Sequence, residues 1–247
     1  MTWNIDGNQA TWTSPEFVAT VNLPQPHRGL SKVRLADQDI AGLTIFGIHL
    51  ENASSETAEP IEDVYNRGND LIVTYEQTPQ RTIRPQVYWR ILDFPDVLGV
   101  ELIISTQTSL LDSNPSVTLT SRLPTSSVRR LVDPATRTFV SVGLEPRDSD
   151  VSINADSDTP LMLFRLQDSQ WSYVELLDPA DFQGACLHSN PDGSFVEVQH
   201  QLFSERLEKG VIRRGRAWGL FVPQVDDEIL ACSAFNQLVA EAPPLTT

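Results

Sequence analysis

Two stretches of the sequence carry arginine and aromatic residues at alternate positions, a spacing that could build a ligand-binding surface. In the first, Arg214, Arg216 and Trp218 alternate with residues that, apart from Arg213, are small or apolar. Successive side chains of a β-strand point to opposite faces, so these three are expected to share one face at intervals of about 7 Å. Guanidinium groups supply fixed donors and an indole supplies a stacking surface, which suits a hydroxyl-rich, flat-faced ligand such as a sugar.

The second stretch, from Thr82 to Leu92, repeats this arrangement. Arg84, Tyr88 and Arg90 fall on the face opposite the apolar residues of the same segment. We therefore predict that both rows bind carbohydrate on a concave sheet face. The residues of this predicted ligand site are Arg84, Tyr88, Arg90, Arg214, Arg216 and Trp218.

A purely structural interpretation of the same residues stays open. The arginines could pair with acids on neighbouring strands, such as Glu197, and lay their stems over apolar neighbours, while Trp218 fills the interior of a sandwich. Pro85 lacks a backbone N–H, which places that part of its strand at a sheet edge or at a bulge. Arginines on an edge strand also protect it against unwanted pairing.

Candidates for catalysis are few. Glu197 and His200 could act as base and acid in the opening of a sugar ring. Their odd spacing predicts opposite faces of one regular strand, which argues against a shared pocket. A pair of carboxylates for glycoside chemistry is also conceivable, because several glutamates fall in predicted strands. These are Glu76, Glu101, Glu175 and Glu197.

The sequence gives no reason to expect a metal or a cofactor. The four histidines are scattered, and the sequence contains no HExxH motif, no glycine loop for phosphate and no serine elbow. Cys186 and Cys232 lie in different segments without metal-ligand spacing. Whether the two cysteines pair is left open by the sequence.

Composition limits the class of partner. Among 247 residues, 18 are basic and 33 acidic, for a net charge of −15. A body of this charge repels phosphate backbones and anionic lipids, so nucleic acid and membrane partners are not expected. The N-terminus lacks the basic start and apolar run of a signal peptide, and the chain contains no apolar run of about 18 residues. We therefore expect a soluble, cytoplasmic protein.

The periodicity of the chain predicts one all-β domain from residue 1 to residue 247. Short alternating segments recur between turn signals, as in Glu16–Leu23, and 40% of the residues are hydrophobic, enough for one core. A polar stretch from Ala53 to Glu62 is predicted to be a surface loop. From Asp226 to Ala240 the period changes to that of a helix, with Ala231, Ala234, Phe235, Leu238 and Val239 on its apolar stripe.

One part of the chain resembles a known superfamily. The segment LEKGVIRRGR, residues 207 to 216, and the following Trp218 to Pro223 are similar to the late strand pair of galactose mutarotase-like proteins. The order of predicted elements also resembles that superfamily. The resemblance implies a large two-sheet antiparallel supersandwich and a relation to sugar epimerases, polysaccharide lyases and noncatalytic domains of glycoside hydrolases. The epimerases' histidine and glutamate positions do not map onto this sequence, which argues against epimerase activity.

We therefore expect a carbohydrate-binding protein rather than an enzyme. Two alternatives remain: a carbohydrate-active enzyme of the aldose epimerase or glycosidase type, and a noncatalytic protein-interaction domain that meets an acidic partner or a second copy of itself.

Overall fold

The structure, a computed structural model, describes residues 2–50, 58–94, 97–113, 115–144, 150–155, 157–203 and 205–244. Within these ranges the chain forms two antiparallel β-sheets and one α-helix. The predicted all-β class with a helix near the end of the chain is therefore confirmed. The prediction of a single domain from 1 to 247 stays a prediction.

The strands are, in chain order, β1 (Asn4–Asp6), β2 (Gln9–Thr13), β3 (Phe17–Asn22), β4 (Leu30–Leu35), β5 (Gln38–Asp39), β6 (Thr44–Leu50), β7 (Ile61–Arg67), β8 (Asp70–Tyr75), β9 (Arg84–Phe94), β10 (Val97–Gln107), β11 (Val117–Leu123), β12 (Ser127–Asp133), β13 (Thr138–Ser141), β14 (Asp150–Ile153), β15 (Leu161–Arg165), β16 (Trp171–Leu177), β17 (Ala185–Ser189), β18 (Val196–Leu202) and β19 (Arg213–Pro223). The helix α1 spans Asp227–Ala240, and a short 3-10 turn spans Pro26–Arg28.

Each sheet combines strands that are distant in sequence. The ten-stranded sheet has the order β1-β2-β3-β4-β6-β11-β18-β17-β14, with β5 paired to β4. The nine-stranded sheet has the order β13-β12-β15-β16-β19-β10-β9-β8-β7. The first sheet thus brings β6, β11 and β18 side by side although some 150 residues separate the first from the last of them.

The core lies between the sheets because side chains alternate along the strands. In β11, Val117, Leu119 and Leu123 are buried in this core, while Thr118 and Thr120 point to the other side. In β19, Ala217 and Phe221 belong to the same core. The remaining face of β19, with Trp218, Leu220 and Val222, belongs to a second apolar cluster on the outer side of the nine-stranded sheet. The predicted alternation of this strand is therefore confirmed.

Helix α1 completes the second cluster. Its buried side chains, among them Ala231, Phe235 and Leu238, pack on the outer face of β15, β16 and β19. The apolar stripe was predicted from the helical period, but Val239 is exposed and does not belong to it. Covering by α1 explains why β19 is buried on both faces along most of its length.

Two local predictions can be compared with the strand register. Strand β9 lies between β8 and β10, but Pro85 lies beyond the last pair that β9 forms with β8, Thr74 with Gln86. That part of β9 therefore has a neighbour on one side only, as the missing N–H predicts. The predicted loop from Ala53 to Glu62 falls partly in residues 51–57, outside the described residues, and its end already belongs to β7, which starts at Ile61.

Both cysteines are free thiols, Cys232 being buried and Cys186 partly buried. The described part of the chain contains no helix with the length and hydropathy that a membrane crossing requires.

Candidate functional site

The six predicted ligand residues lie on the outer side of the nine-stranded sheet, named here the helix-bearing face. Arg216 is 2% exposed. Its guanidinium donates to Asp178 Oδ2 at 3.0 Å, to Glu241 Oε2 at 3.2 Å and to the backbone oxygen of Leu238 at 3.0 Å. Arg216 therefore neutralises acids and caps the last carbonyls of α1, and most of its donors are taken by the protein itself.

Trp218 is equally enclosed. It is fully buried, and its Nε1 donates to Glu101 Oε1 at 3.0 Å. Arg90 holds the other side of this carboxylate, with Nη1 2.9 Å from Glu101 Oε2, and also binds both oxygens of Asp70. These contacts raise the pKa of Arg90, first through its hydrogen bonds to Asp70. The indole therefore supplies no exposed stacking surface.

Of the remaining three predicted residues, Tyr88 is buried, Arg84 is half-buried and Arg214 is exposed. Arg84 forms an exposed ion pair with Glu62, and the hydroxyl of Tyr88 donates to Gln86 Oε1 at 2.6 Å. Arg214 is exposed, and the described residues offer it no ion-pair partner.

Taken together, the six residues share one sheet face as predicted, but the expected open surface is absent around Arg216 and Trp218. Helix α1 covers both. The structural interpretation fits this part of the chain, with one correction: the pairing acids are Asp70, Glu101 and Asp178, whereas Glu197 belongs to the other sheet. Ligand binding by the six residues stays a prediction.

Glu197 and His200 point to opposite faces of β18, as their spacing predicts. His200 is fully buried between the sheets, and its Nε2 lies 2.8 Å from Glu175 Oε1. The other oxygen of Glu175 accepts from the hydroxyls of Tyr173 and Ser121. This network links the two sheets inside the core and does not reach the face on which Glu197 lies.

The outer side of the ten-stranded sheet, named here the polar face, differs from the helix-bearing face in how it is covered. The α-helix of the described residues does not pack on it, and the short 3-10 turn reaches only its β6 side. Five neighbouring strands, β6, β11, β18, β17 and β14, send polar side chains outward from it. The residues of the polar face are His49, Thr118, Thr120, Arg122, Asp150, Cys186, His188, Glu197, Gln199 and Gln201.

Strand register arranges these residues in rows across the sheet. Thr118 stands opposite His49 on one side and Gln201 on the other. The next row contains Thr120, Gln199 and Cys186, and the third contains Arg122, Glu197, His188 and Asp150. Adjacent rows lie about 7 Å apart along the strands and neighbouring strands about 4.8 Å apart, so several polar groups lie within reach of one small ligand.

An open depression marks one part of this face. It has a volume of about 320 Å³, and its lining includes Thr118, Gln199, Gln201 and Cys186. Burial raises the pKa of the Cys186 thiol, so this sulfur is not an activated nucleophile. The polar lining therefore offers hydrogen bonds rather than covalent chemistry.

Two histidines meet at the side of the polar face where β6 runs. The ring centroids of His27 and His49 are 6.2 Å apart. The 3-10 turn that carries His27 reaches β6 at Gly47, where a Cβ would lie 2.3 Å from the backbone oxygen of His27. Glycine at position 47 therefore permits this close approach.

The surroundings of both imidazoles favour their neutral form. Burial lowers the pKa of His27, and the neighbouring His49 and Arg28 lower it further. Burial also lowers the pKa of His49, although Glu197 opposes the shift. Neutral imidazoles are suited to accepting a proton from a hydroxyl group.

Two hydrogen bonds orient the acids of the third row. The side-chain amide of Gln199 donates to Glu197 Oε1 at 2.7 Å. His188 Nδ1 lies 2.8 Å from Asp150 Oδ1. The described residues contain no cluster of three or more metal-ligating side chains.

Sequence reasoning missed the polar face because its residues come from five strands whose pairing the sequence does not reveal. One signal was present. Thr118 to Arg122 and Glu197 to Gln201 both alternate polar with apolar residues, the pattern of a sheet with one wet face.

No family model and no curated protein sequence matches this chain. Several solved structures share its fold at low identity. A protein from Escherichia coli K12, provisionally named an aldose 1-epimerase, has a TM-score of 0.61 and 8% identity, covering 86% of this chain and 98% of its own. A galactose mutarotase-like protein from Lactobacillus casei has a TM-score of 0.54 and 8% identity, covering 86% of this chain and 99% of its own.

A third similar structure belongs to a longer protein. The α-N-acetylgalactosaminidase NagBb from Bifidobacterium bifidum, solved with GalNAc, has a TM-score of 0.56 and 10% identity. The match covers 97% of this chain but 39% of that one. At these identities the likeness establishes the fold alone, which is the galactose mutarotase-like supersandwich that the sequence resembles.

Proposed function

We propose that this protein, a galactose mutarotase-like sandwich, binds a carbohydrate on its polar face. The observation that carries the proposal is the two open rows of hydrogen-bonding side chains from neighbouring strands, centred on Thr118, Gln199 and Gln201. Hydroxyl, amide and carboxylate groups at this spacing match the alternating donors and acceptors of a sugar ring. Binding sites of small ligands are concave and present a few convergent polar groups.

The nature of the similar proteins supports the same ligand class. Their names refer to an aldose epimerase, a galactose mutarotase-like protein and a glycosidase in complex with GalNAc. A fold hosts many functions, so the argument rests on the polar face and the fold adds to it.

A second candidate is acid–base catalysis on the bound sugar. The specific observation is that burial lowers the pKa of both His27 and His49 while Glu197 acts electrostatically on His49. A neutral imidazole could take a proton from the anomeric hydroxyl, and a second group could return one to the ring oxygen, which opens and recloses the ring. This chemistry needs neither metal nor cofactor.

Calorimetry with monosaccharides and short oligosaccharides tests binding. The variant Gln199→Ala is expected to weaken a bound sugar about tenfold, since a lost hydrogen bond to a polar ligand costs about 1.4 kcal/mol. Arg84→Ala on the helix-bearing face is the matched control and should leave the affinity unchanged. Absence of heat with every sugar, or equal losses in both variants, would contradict the proposal.

Anomer interconversion measured by proton NMR tests catalysis separately. Acceleration by the wild type that is lost in His49→Gln, with sugar affinity retained, would support the enzyme. Binding without acceleration would leave a carbohydrate-binding protein.

A further inference from the structure

Arg122 is held on the polar face in a way that an ordinary surface arginine is not. Its guanidinium carbon lies 4.1 Å above the centroid of the Phe195 ring, in cation–π contact. Arg122 stands directly opposite Glu197 in the pairing of β11 with β18. Opposite charges at such positions usually pair, yet Arg122 contacts the Phe195 ring and Glu197 accepts from Gln199 instead.

The reason is that each side chain is turned elsewhere. Glu197 accepts the side-chain amide of Gln199, and Arg122 leans over the aromatic ring. None of the described residues accepts a hydrogen bond from the Arg122 guanidinium. The edge of the group, with its fork of donors, is therefore left for another acceptor.

The aromatic support of Arg122 is itself fixed. The backbone N–H of Phe195 donates to Asn190 Oδ1 at 2.8 Å, and its backbone oxygen accepts from the N–H of Asn190 at 3.1 Å. The ring packs against Gly42, where an added Cβ would lie 2.7 Å from two ring carbons. These contacts position Phe195, and the cation–π contact holds the Arg122 guanidinium over its ring, which reduces the conformational entropy that Arg122 loses when it binds a ligand.

Most described arginines of this acidic chain form ion pairs, among them Arg84, Arg90 and Arg216. An unpaired guanidinium beside a sugar-sized row of donors and acceptors is therefore a distinct chemical feature. Planar guanidinium forks match the two oxygens of a carboxylate or phosphate.

We propose that the carbohydrate bound on the polar face carries an anionic substituent, and that Arg122 on its Phe195 platform is the residue that recognises it. The inference rests on the proposed sugar site and adds the ligand's charge and orientation. The anionic group lies in the row of Arg122, and the ring extends over Thr120 and Gln199 toward His49.

The row spacing supports this orientation. Arg122, Thr120 and Thr118 succeed one another at about 7 Å on the same side of β11. A pyranose over the middle row thus places a substituent at one end near Arg122 and the opposite ring position near the row of Thr118 and His49. Arg122 acts in binding and specificity, and it takes no part in proton transfer.

Matched ligand pairs test the inference by calorimetry at low and high salt. The pairs are galacturonate with galactose, and glucose 6-phosphate with glucose; comparing them distinguishes a carboxylate from a phosphate. We expect the charged member of at least one pair to bind about tenfold or more tightly than its neutral parent, since a charge-assisted pair is worth 1.4 kcal/mol or more. Added salt should reduce this advantage.

Three variants locate the effect. Arg122→Met should remove the advantage of the charged sugar and leave the affinity for the neutral parent unchanged. Phe195→Leu, which retains an apolar side chain but no ring, should reduce the advantage in part. Arg214→Met, which removes an exposed and unpaired guanidinium from the helix-bearing face, should change neither affinity.

Equal affinity of the wild type for charged and neutral sugars would overturn this inference while leaving the proposed function intact. The inference would also be overturned if Arg28→Met, at the exposed arginine beside His27, removed the advantage of the charged sugar and Arg122→Met did not. Absence of binding to any sugar of either kind would overturn both proposals.

Discussion

The two outer faces of this sandwich use polar residues for opposite purposes. On the helix-bearing face, Arg90 and Arg216 both lie close to the Glu101 carboxylate, and Arg216 also donates to a backbone oxygen of α1. These charged groups therefore interact with other groups of the protein. On the polar face, Gln199 and Arg122 remain accessible, and no helix among the described residues covers them. The buried hydrogen bonds of the helix-bearing face fix the positions of its side chains, whereas the accessible side chains of the polar face can bind a ligand. The contrast predicts that the first face governs stability and the second governs binding.

The strongest test of this contrast is removal of Arg216. Arg216→Ala leaves Asp178 and Glu241 without their cation and the last carbonyls of α1 without a donor. We expect the free energy of unfolding to fall by about 3 kcal/mol, because Arg216 is buried and its hydrogen bonds are lost, while Asp178 and Glu241 remain partly exposed to water. Urea denaturation measures the loss.

Arg214→Ala is the matched control, since it lies two residues earlier on the same face but is exposed and unpaired. It should change the free energy of unfolding by less than about 0.5 kcal/mol. Similar losses in both variants would mean that the network around Arg216 contributes little.

The docking of α1 is the next test. Asp227 is buried and accepts from Arg165 Nε at 2.9 Å and from Ser172 Oγ at 2.8 Å. Asp227→Ala should lower the free energy of unfolding by about 2 kcal/mol, because both donors lose a charged acceptor. Asp226→Asn, at the adjacent residue whose side chain makes no cap hydrogen bond, is the control. An unchanged midpoint for Asp227→Ala in thermal unfolding would contradict the importance of this contact.

Variants of the polar face should behave in the opposite way. Glu197→Gln and Gln201→Ala are expected to change the free energy of unfolding by less than about 0.5 kcal/mol, because Glu197 is half-buried and Gln201 is exposed, so water can replace the hydrogen bonds that these side chains lose. The same variants should weaken sugar binding in calorimetry. A large loss of stability with no effect on binding would remove the distinction between the two faces.

The smallest predicted effect concerns the titration of the histidines. Burial lowers the pKa of His27 and of His49 below 6.5. Glu197 raises the pKa of His49, so Glu197→Gln should lower it further. Histidine NMR signals followed from pH 4 to 8 measure both pKa values. An upward shift in the variant would show that Glu197 does not act on His49.

The lowered pKa values of the two histidines also make the free energy of unfolding depend on pH. The unfolded chain binds protons more readily than the folded protein between the lowered pKa values and 6.5. The contribution of the two histidines to the free energy of unfolding is therefore present above pH 6.5, and it is lost as the pH falls through the folded-state values.

Local periodicity determined what the sequence could predict. The faces of Ala217 and Trp218 followed from counting along one strand, and the helix near Asp226–Ala240 followed from a change of period. Glu197 and His200 were placed on opposite faces for the same reason. None of these predictions requires knowledge of a distant residue.

Long-range contacts determined what the sequence could not predict. The sequence predicted correctly on which face of β19 Trp218 lies, but the docking of α1 covers that face, and this docking is not visible in the local pattern. The placement of His49 opposite Thr118, and of Glu197 on the same face, depends on the pairing of β6, β11 and β18, which are far apart in the chain. No local pattern encodes that order of strands.

The docking of α1 has a consequence for synthesis. The helix follows every strand that it covers, so Trp218, Leu220 and Val222 leave the ribosome before their cover exists. Until residues 227–240 arrive, the nascent protein presents an apolar surface of the kind that promotes aggregation. A chain interrupted after Pro223 would keep that surface, which makes it a natural substrate for chaperones and proteases.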